Sequence, residues 1–447
     1  MSKIKEPSVA GSFYTDNTED LKAQIKSFAQ ESKNGYEYKT RAVIVPHAGL
    51  IYSGRLAYEG ISQIDRAVKN IFIFAPAHKV GFDGIALSGF DKWKTPLGEI
   101  EVNQDICNEL KEKYRANFND DAIKPEHAIE IEIPIIQSVF GCIKIVPILV
   151  GRTDYKIISD IIDEYYKNTE NGFIISSDLS HFLSDENAKK LDSQTAQMIE
   201  SGNIDGFRFE QACGALGIAG LVDFANKNDY SIIRIDMTNS SSTTNEKSSV
   251  VGYGCWFLYE GDKNEFIKKY YSDFVINISK IILKASFTKE NFSIRYPQVL
   301  DEFGACFVTL EKFGQLRGCI GSIIAHQPLM TDLIQHTKDA AFNDYRFNPV
   351  TEEELKDLKV SISVLTEPKK INFENEEDLL NKMVPNVDGI IIKDGRYQAV
   401  YLPVVWEQLP DKKEFLNSLK VKAGLSPNYF SKTFEAYRFE SIYIKEK

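Results

Sequence analysis

Three runs of consecutive apolar residues in the first 181 positions of the chain each lead into a histidine. The runs AVIV, IFIF and FII are followed two to six residues later by His47, His78 and His181, respectively. Runs of Val, Ile and Phe without polar alternation are typical of strands that are buried on both faces, as in parallel sheets. Open α/β sheets place ligands beyond the carboxyl ends of their strands. The pattern therefore predicts that the three imidazoles converge on one crevice.

Apolar periodicity predicts alternating strands and helices from about residue 20 to residue 260. Strands are predicted at 41–46, 70–75, 143–150, 172–177 and 249–259. Helices are predicted at 21–30, 55–65, 103–115, 128–140, 155–167 and 186–201. This order predicts an α/β fold in which a mainly parallel sheet has helices on both faces. The stretch 238–247, rich in Ser, Thr and Asn, predicts a loop.

The order of elements changes after the segment 260–264, and we place a domain boundary there, giving domains 1–262 and 263–447. A helical pattern over 266–284 opens the second domain. Strands are then predicted near 303–310, 359–365 and 389–393, with helices near 328–342, 376–383 and 411–423. This mixture predicts an α+β domain.

Composition narrows the class of partner. The chain has 447 residues and a net charge of −11, which argues against nucleic acid or an anionic membrane surface as a partner. The first twelve residues lack the apolar core of a signal peptide, and no apolar run approaches the length that spans a bilayer. The six cysteines form no C-x-x-C pair, which favours reduced thiols. These features predict a cytoplasmic protein that binds a small molecule, a peptide or another protein.

The histidines are the first candidates for chemistry, because imidazole is the commonest protein ligand of transition metals and a general base near neutral pH. The alternative is that each histidine caps a strand through a backbone hydrogen bond. His127 opens an apparent helix and Glu130 lies three residues later on the same face, so this pair is the candidate acid/base element. A helix-start pair without a catalytic task is the alternative for these two residues.

Several motifs make the first half of the chain resemble the Memo family. They are PHAGLIYSG (46–54), APAHK (75–79), EHAIEIEIP (126–134), SSDLSH (176–181) and KSSVVGY (247–253). The second half, with GQLRGCIGS (314–322) and DGIIIKDGRYQAVYLP (388–403), resembles an AMMECR domain. In prokaryotes the two families are associated with a radical SAM protein, so such an enzyme is an expected partner.

The resemblance implies a fold similar to class III extradiol dioxygenases, which hold non-haem Fe(II) with two histidines and an anionic third ligand. His47 and His78 match the two imidazole positions. Ser242 falls at the position of the anionic ligand, and a serine hydroxyl is a poor ligand at neutral pH. Asp178 or His181 could supply the missing group, and Asp178 could instead orient an imidazole. Fe(II) is the expected metal, with copper, zinc or no metal left open.

Further candidates lie in these motifs and in two others that share the resemblance, AGSFY (10–14) and ACG (212–214). Phe13, Tyr14 and Tyr52 could line a substrate pocket or simply pack in the core. Cys213 matches a family cysteine and could contact a substrate, although a buried hydrophobic role is commoner. In the second domain, the glycines around Arg317 and Cys319 suit close backbone approach, anion contact or a tight turn.

Three functions follow from this reading. The first is a metal-dependent oxidoreductase of the dioxygenase type, in which His127 or His181 moves protons. The second is a binding module for a peptide or modified macromolecule, and the third is an accessory to a radical SAM enzyme. The sequence leaves the oligomeric state open, and His326 and His336 are predicted to be surface residues.

Overall fold

The computed structural model describes residues 2–32, 37–288 and 294–446. The chain forms two compact units, Met1–Lys263 and Asn264–Lys447. Among the described residues, no helix combines the length and apolar content needed to cross a membrane.

The first unit contains twelve strands and nine α-helices within the described ranges. The strands are β1 (Ile4–Lys5), β2 (Ala42–Val45), β3 (Asn70–Pro76), β4 (Ile85–Leu87), β5 (Lys92–Thr95), β6 (Gly98–Val102), β7 (Asn117–Phe118), β8 (Lys144–Val150), β9 (Asn171–Ser176), β10 (His181–Leu183), β11 (Ser231–Asn239) and β12 (Val250–Tyr259). The helices are α1 (Thr18–Glu31), α2 (Leu50–Gln63), α3 (Gln104–Tyr114), α4 (Asp120–Ile123), α5 (Ile133–Phe140), α6 (Tyr155–Tyr166), α7 (Asp185–Glu200), α8 (Ala215–Lys227) and α9 (Ser241–Thr244). A 3-10 turn at Glu130–Glu132 precedes α5.

All twelve strands join one sheet, whose main path runs β1-β5-β6-β8-β3-β9-β2-β12-β10. Strands β8, β3, β9 and β2 pair in parallel at its centre, and β12 closes antiparallel against β2. The central strands are almost entirely buried, as their uninterrupted apolar sequences require. Helices α1, α2 and α5 contact one another, and α6 packs with α8, so helices flank the sheet. The prediction of a mainly parallel α/β sheet is confirmed.

The element boundaries show what periodicity alone misses. Helix α2 begins at Leu50, five residues earlier than predicted, and the helix predicted over 128–140 is a bend followed by a 3-10 turn and the short α5. The stretch predicted as a loop at 238–247 is partly regular, because it holds the end of β11 and the single-turn helix α9. Ser and Thr side chains there bond nearby backbone groups, which supports such a turn.

Within its described residues, the second unit has two four-stranded sheets. Its strands are β13 (Ala305–Lys312), β14 (Gln315–Gly321), β15 (Leu358–Leu365), β16 (Lys369–Lys370), β17 (Gly389–Asp394), β18 (Tyr397–Tyr401), β19 (Glu435–Phe439) and β20 (Ser441–Lys445). Its helices are α10 (Lys263–Thr288), α11 (Leu329–Phe342), α12 (Glu376–Lys382) and α13 (Lys412–Lys422), with 3-10 turns at Gln298–Leu300, Glu352–Asp357 and Pro403–Glu407. The sheet orders are β14-β13-β15-β20 and β16-β19-β17-β18. This is an α+β arrangement.

The glycine-rich run of the second unit is a strand packed against a helix, not a tight turn. A Cβ on Gly318 of β14 would lie 2.0 Å from the carbonyl oxygen of Ala340 in α11, and one on Gly321 would lie 2.4 Å from that of Cys306. Only glycine allows the backbones to approach this closely. These glycines therefore serve packing.

We expect Gly318→Ala to lower the free energy of unfolding by about 1–3 kcal/mol, because the new methyl group must displace the backbone of α11. Gly81→Ala is the matched control, since its Cβ would meet no atom within 4 Å. Urea unfolding of both variants measures the difference. Equal stability of the two variants would contradict the close packing of β14 on α11.

Candidate metal centre

His47 and His78 follow two strands that flank the same neighbour in the sheet. Each residue lies two positions beyond the end of its strand, β2 for His47 and β3 for His78. Both strands pair in parallel with β9, so their carboxyl ends lie at one edge. His127 reaches this edge from the bend between α4 and the 3-10 turn. Three histidines from three separate segments therefore meet beyond the sheet.

The three imidazoles are close enough to share one ligand. One ring nitrogen from each of His47, His78 and His127 lies within 4.8 Å of the other two. The ring centroids are 5.1 Å apart for His47 and His78, and 4.8 Å apart for His78 and His127. His47 is buried, His127 is half-buried and His78 is exposed at one side. This group of nitrogens could hold a metal ion.

Glu126 orients two of the three rings. Its Oε1 lies 3.0 Å from Nδ1 of His78 and 3.0 Å from Nδ1 of His127. Nδ1 of His127 has no hydrogen-bond partner in the described structure, so this contact is a close approach and not a hydrogen bond. The backbone N–H of His78 donates to Oε2 at 2.7 Å, and the N–H groups of His127 and Ala128 donate to Oε1. One carboxylate thus faces the Nδ1 atoms of two imidazoles, which leaves their Nε2 atoms for a ligand.

These hydrogen-bond donors keep the Glu126 carboxyl group ionised. Burial alone would raise the pKa of the Glu126 carboxyl, but the imidazoles of His127 and His78 and the backbone N–H of His78 outweigh it and hold the pKa below its ordinary value. Glu126 is therefore an anion at neutral pH. A carboxylate behind a ligating imidazole raises the basicity of the ring and fixes its orientation.

His47 is held by a different partner. Its Nδ1 lies 2.8 Å from Ser176 Oγ at the end of β9, and its Nε2 lies 3.3 Å from Sγ of Cys213. Burial, together with the charges that His78 and His127 would carry, lowers the pKa of His47 well below its usual value. The ring is therefore neutral at neutral pH, which is the form that binds metals.

Asp178 and Cys213 form the wall behind His47. Asp178 Oδ1 accepts the backbone N–H of His47 at 2.8 Å, and the backbone N–H of Asp178 donates to Cys213 Sγ at 3.3 Å. Burial raises the pKa of Asp178 to about 7 and that of the Cys213 thiol to about 12. Asp178 thus contacts the backbone of a ligand candidate, and its assignment as a ligand stays a prediction. Cys213 is a neutral thiol.

His181 lies at the edge of the group. It begins β10 and is half-buried, and burial lowers the pKa of its imidazole. The next residue, Phe182, is 77% exposed and has a φ of 59°, a conformation that bulky side chains rarely adopt. The backbone N–H of Ser180 donates to the buried carboxylate of Asp192 at 3.0 Å, which fixes the turn before His181.

Asp192 gives this turn a pH dependence. Burial raises its pKa to about 6, above the value of about 3.9 for an unfolded aspartate. The folded state therefore binds the proton more readily, so the stabilising contribution is complete below pH of about 4 and is lost as pH rises through about 6. We expect wild type to lose about 3 kcal/mol more than Asp192→Asn over this window. Urea unfolding at several pH values measures the loss, and parallel curves would contradict the assignment.

Glu130 does not accompany His127 as predicted. Its carboxylate accepts hydrogen bonds from Lys5 Nζ at 2.6 Å, from the backbone N–H of Ser8 and Val9, and from Tyr14 Oη at 3.0 Å. The prediction assumed a regular helix from His127, but the chain bends there and Glu126 takes the place beside the imidazole. Glu130 instead fastens the amino-terminal segment to the chain that carries His127.

Of the other candidate residues in the first unit, some lie at the three imidazoles and some lie away from them. Phe13 lies on His127, with ring centroids 4.7 Å apart, and Tyr52 is 40% exposed. Tyr14 is buried, and its hydroxyl is engaged by Glu130. Ser242 is exposed in α9 and donates to the carbonyl of Asn239 at 2.8 Å. The third nitrogen of the cluster comes from His127.

The candidate residues of the second unit form hydrogen bonds within that unit. Arg317 donates from Nε and Nη2 to both carboxylate oxygens of Glu354, at 3.1 Å each. Cys319 accepts a hydrogen bond from Thr309 Oγ1 at 3.2 Å. The prediction that His336 is a surface residue is wrong, because it lies on the inner face of α11 with Nε2 2.8 Å from Ser322 Oγ.

Sequence reasoning missed three residues that shape the site. Glu126 immediately precedes His127 in the motif at 126–134, and Ser176 opens the motif at 176–181, so both were within quoted segments. Tyr253 lies within electrostatic reach of Asp178 and Tyr52. A carboxylate or hydroxyl in the same motif as a candidate histidine was the available signal for Glu126 and Ser176.

The fold and the site define an α/β protein with three imidazoles grouped at the carboxyl edge of a mainly parallel sheet. The family model described as Memo-like protein matches residues 5–257, and the model described as AMMECR1 matches residues 277–444. The chain belongs to the Memo-like protein family and carries an AMMECR1 domain after the Memo domain.

Individual relatives and a solved structure match the chain at low identity. The MEMO1 family protein TV1383 of Thermoplasma volcanium is 31% identical over 261 residues, covering 56% of this chain and 96% of that protein. A MEMO1 family protein of Aquifex aeolicus is 30% identical over 271 residues, covering 57% of this chain and 100% of that protein. The crystal structure of the uncharacterized protein PH0010 from Pyrococcus horikoshii matches with a TM-score of 0.35 and 31% identity, covering 38% of this chain and 88% of that one.

Proposed function

We propose that His47, His78 and His127 bind one divalent metal ion, Fe(II), and that the protein is a metal-dependent oxidoreductase that acts with dioxygen. The observation that carries the proposal is the approach of three ring nitrogens to within 4.8 Å of one another. Three imidazoles form a donor set that suits iron, copper or zinc. A redox-active ion held there would supply the electron-transfer chemistry that dioxygen requires.

The residues around the three imidazoles support the proposed metal site, because they set the protonation state of His47 and place an anion beside His78 and His127. His47 is neutral, and the anionic Glu126 faces the Nδ1 atoms of His78 and His127. All three Nδ1 atoms have polar neighbours, and His47 Nε2 lies beside the neutral Cys213 thiol, so a ligand held by the Nε2 atoms would lie next to that sulfur. A structural histidine that only caps a strand would need no such arrangement.

His181 is the proposed proton-transfer residue of this site. Burial lowers the pKa of its imidazole, so that the ring is neutral and can accept a proton from a substrate hydroxyl at neutral pH. Its place at the edge of the cluster, beside the exposed Phe182, allows contact with a substrate that enters from solvent. Phe13 covers His127 from another direction.

A second candidate function is a binding module that uses the same crevice without catalysis. The exposed apolar side chains of Ile51 (66%) and Phe182 (77%) favour it, because they lie on segments that also carry His47 and His181 and would gain from contact with a ligand. Ligand binding that survives both chelation and His47→Ala would support this candidate over the enzyme.

Metal content of anaerobically purified protein tests the main proposal. We expect one Fe(II) per chain in wild type, and its loss in His47→Ala, His78→Ala and His127→Ala. His326→Ala is the matched control, because this histidine is exposed and its Nδ1 contacts only a nearby backbone carbonyl in the described structure. Oxygen uptake with catechol-like substrates should require the bound iron. A folded wild type that binds no metal, or variants that retain it, would contradict the proposal.

A further inference from the structure

The hydroxyl of Ser176 lies at the centre of a buried group of polar atoms behind His47. Its Oγ is 2.8 Å from His47 Nδ1, 2.7 Å from the carbonyl oxygen of Ala128 and 3.2 Å from Glu132 Oε1. Ser176 and Glu132 are fully buried, and His47 is only 2% exposed. Water is therefore not available to any of the three contacts, and the protons must be shared among these groups.

The single proton of the serine hydroxyl decides where the other protons lie. A backbone carbonyl can only accept, so the contact between Ser176 Oγ and the Ala128 oxygen is favourable only if the serine donates to it. Ser176 Oγ can then only accept hydrogen bonds from His47 and Glu132. His47 Nδ1 must donate, and Glu132 must donate from a carboxylic acid.

We propose that Glu132 is a neutral carboxylic acid that donates its proton to Ser176 Oγ, and that this relay holds His47 in the tautomer with hydrogen on Nδ1. His47 Nε2 then carries a lone pair and no hydrogen. The ring proton stays on Nδ1 and does not move to the nitrogen that faces the site. Glu132 is a positioning residue, since Ser176 separates it from the ring. The tautomer assignment stands without metal, and only its consequence for metal affinity rests on the proposed function.

The surroundings of Glu132 favour the neutral acid. Burial raises the pKa of its carboxyl well above the usual range, and the nearby Asp178 adds to the rise. Its second oxygen, Oε2, is buried without a hydrogen-bond partner in the described structure, which an anion would not tolerate. Glu126, by contrast, receives several N–H donors and stays charged. The three rings are therefore oriented by one anionic and one neutral carboxyl group.

Glu132→Gln and Glu132→Leu separate this role from simple packing. The amide of Gln keeps an N–H donor for Ser176, whereas Leu removes it at similar volume. In the metal-free full-length chain, ¹⁵N-histidine NMR should show His47 with hydrogen on Nδ1 in wild type and in Glu132→Gln, the His47 signal being assigned by its loss in His47→Ala. Glu132→Leu should show a mixture of tautomers. Affinity for Fe(II) should stay within about 3-fold for Gln and fall about 10- to 100-fold for Leu.

An infrared measurement tests the inference without metal: absence of a protonated carboxyl band from wild type alone overturns it, and Glu132→Gln assigns a band that is present. Wild type at neutral pH should show a buried protonated carboxyl C=O band that disappears in Glu132→Gln. Hydrogen on Nε2 of His47, absence of that band, or equal loss of affinity in both variants would overturn the relay. Failure of wild type to bind metal while His47 keeps hydrogen on Nδ1 would reject the proposed function and leave the relay standing.

Discussion

Replacing Lys5 by Met is expected to lower the free energy of unfolding by about 3–5 kcal/mol, because it leaves the buried Glu130 carboxylate without its cation. Both side chains of this ion pair are only 1% exposed, and Nζ lies 2.6 Å from Oε2. Burial alone would raise the pKa of Glu130, but Lys5 and the donors of Ser8 and Val9 hold it below the usual value. Removing Lys5 takes away the largest of these opposing contributions, so the variant must either keep a buried anion without its cation or protonate Glu130, and either outcome costs stability.

Urea unfolding monitored by circular dichroism measures this loss. Lys92→Met is the matched control. Lys92 lies on β5, the strand next to β1, and forms an exposed ion pair with Glu99, so solvent screens the interaction. We expect a much smaller effect there. Metal affinity of the folded Lys5→Met protein should also fall, since Glu130 fastens the chain that carries His127. Equal losses of unfolding free energy in the two lysine variants would contradict a larger contribution from the buried ion pair.

Glu126→Gln is expected to weaken metal binding by about 10- to 100-fold while the protein stays folded. Oε1 of the carboxylate accepts from the His78 imidazole and the backbone N–H of His127, and Oε2 accepts from the backbone N–H of His78. The amide group of Gln would turn a donor toward one set of these donors. His78 and His127 then lose their common orientation. Isothermal titration with a divalent metal under anaerobic conditions measures the change.

Glu101→Gln serves as its control, because the Glu101 side chain is 58% exposed and pairs only loosely with Lys144. This variant should bind metal as wild type does. Wild-type affinity in Glu126→Gln would mean that the carboxylate does not orient the rings.

The sequence predicted the sheet and the meeting of His47 and His78, because both signals are local. An uninterrupted apolar run predicts a buried strand, and a histidine just after it must lie at the edge of the sheet. The grouping of His127 with them could not be derived in this way. Its place depends on the chain bending at residues 127–129, which a helical periodicity over 128–140 concealed.

Partners of the site residues were harder to predict, because they come from distant parts of the chain. Glu130 was assigned to His127 on helical spacing, but Lys5 lies 125 residues away in sequence and binds it instead. Ser242 matched a ligand position by alignment, yet its hydroxyl bonds its own turn. His336 looked like a surface residue because nothing local showed that Ser322 would pack against it. Packing between separate segments decided the cases of Glu130 and His336, and a local turn decided that of Ser242.

The number of imidazoles that bind the metal is the most direct test of the central claim. Pulsed EPR of the Cu(II)-substituted full-length protein, with and without ¹⁵N-labelled histidine, counts them. We predict three coordinated histidines in wild type and two in each of His47→Ala, His78→Ala and His127→Ala where copper is still retained. A spectrum with two or fewer coordinated histidines in wild type, unchanged by His127→Ala, would contradict the three-histidine centre.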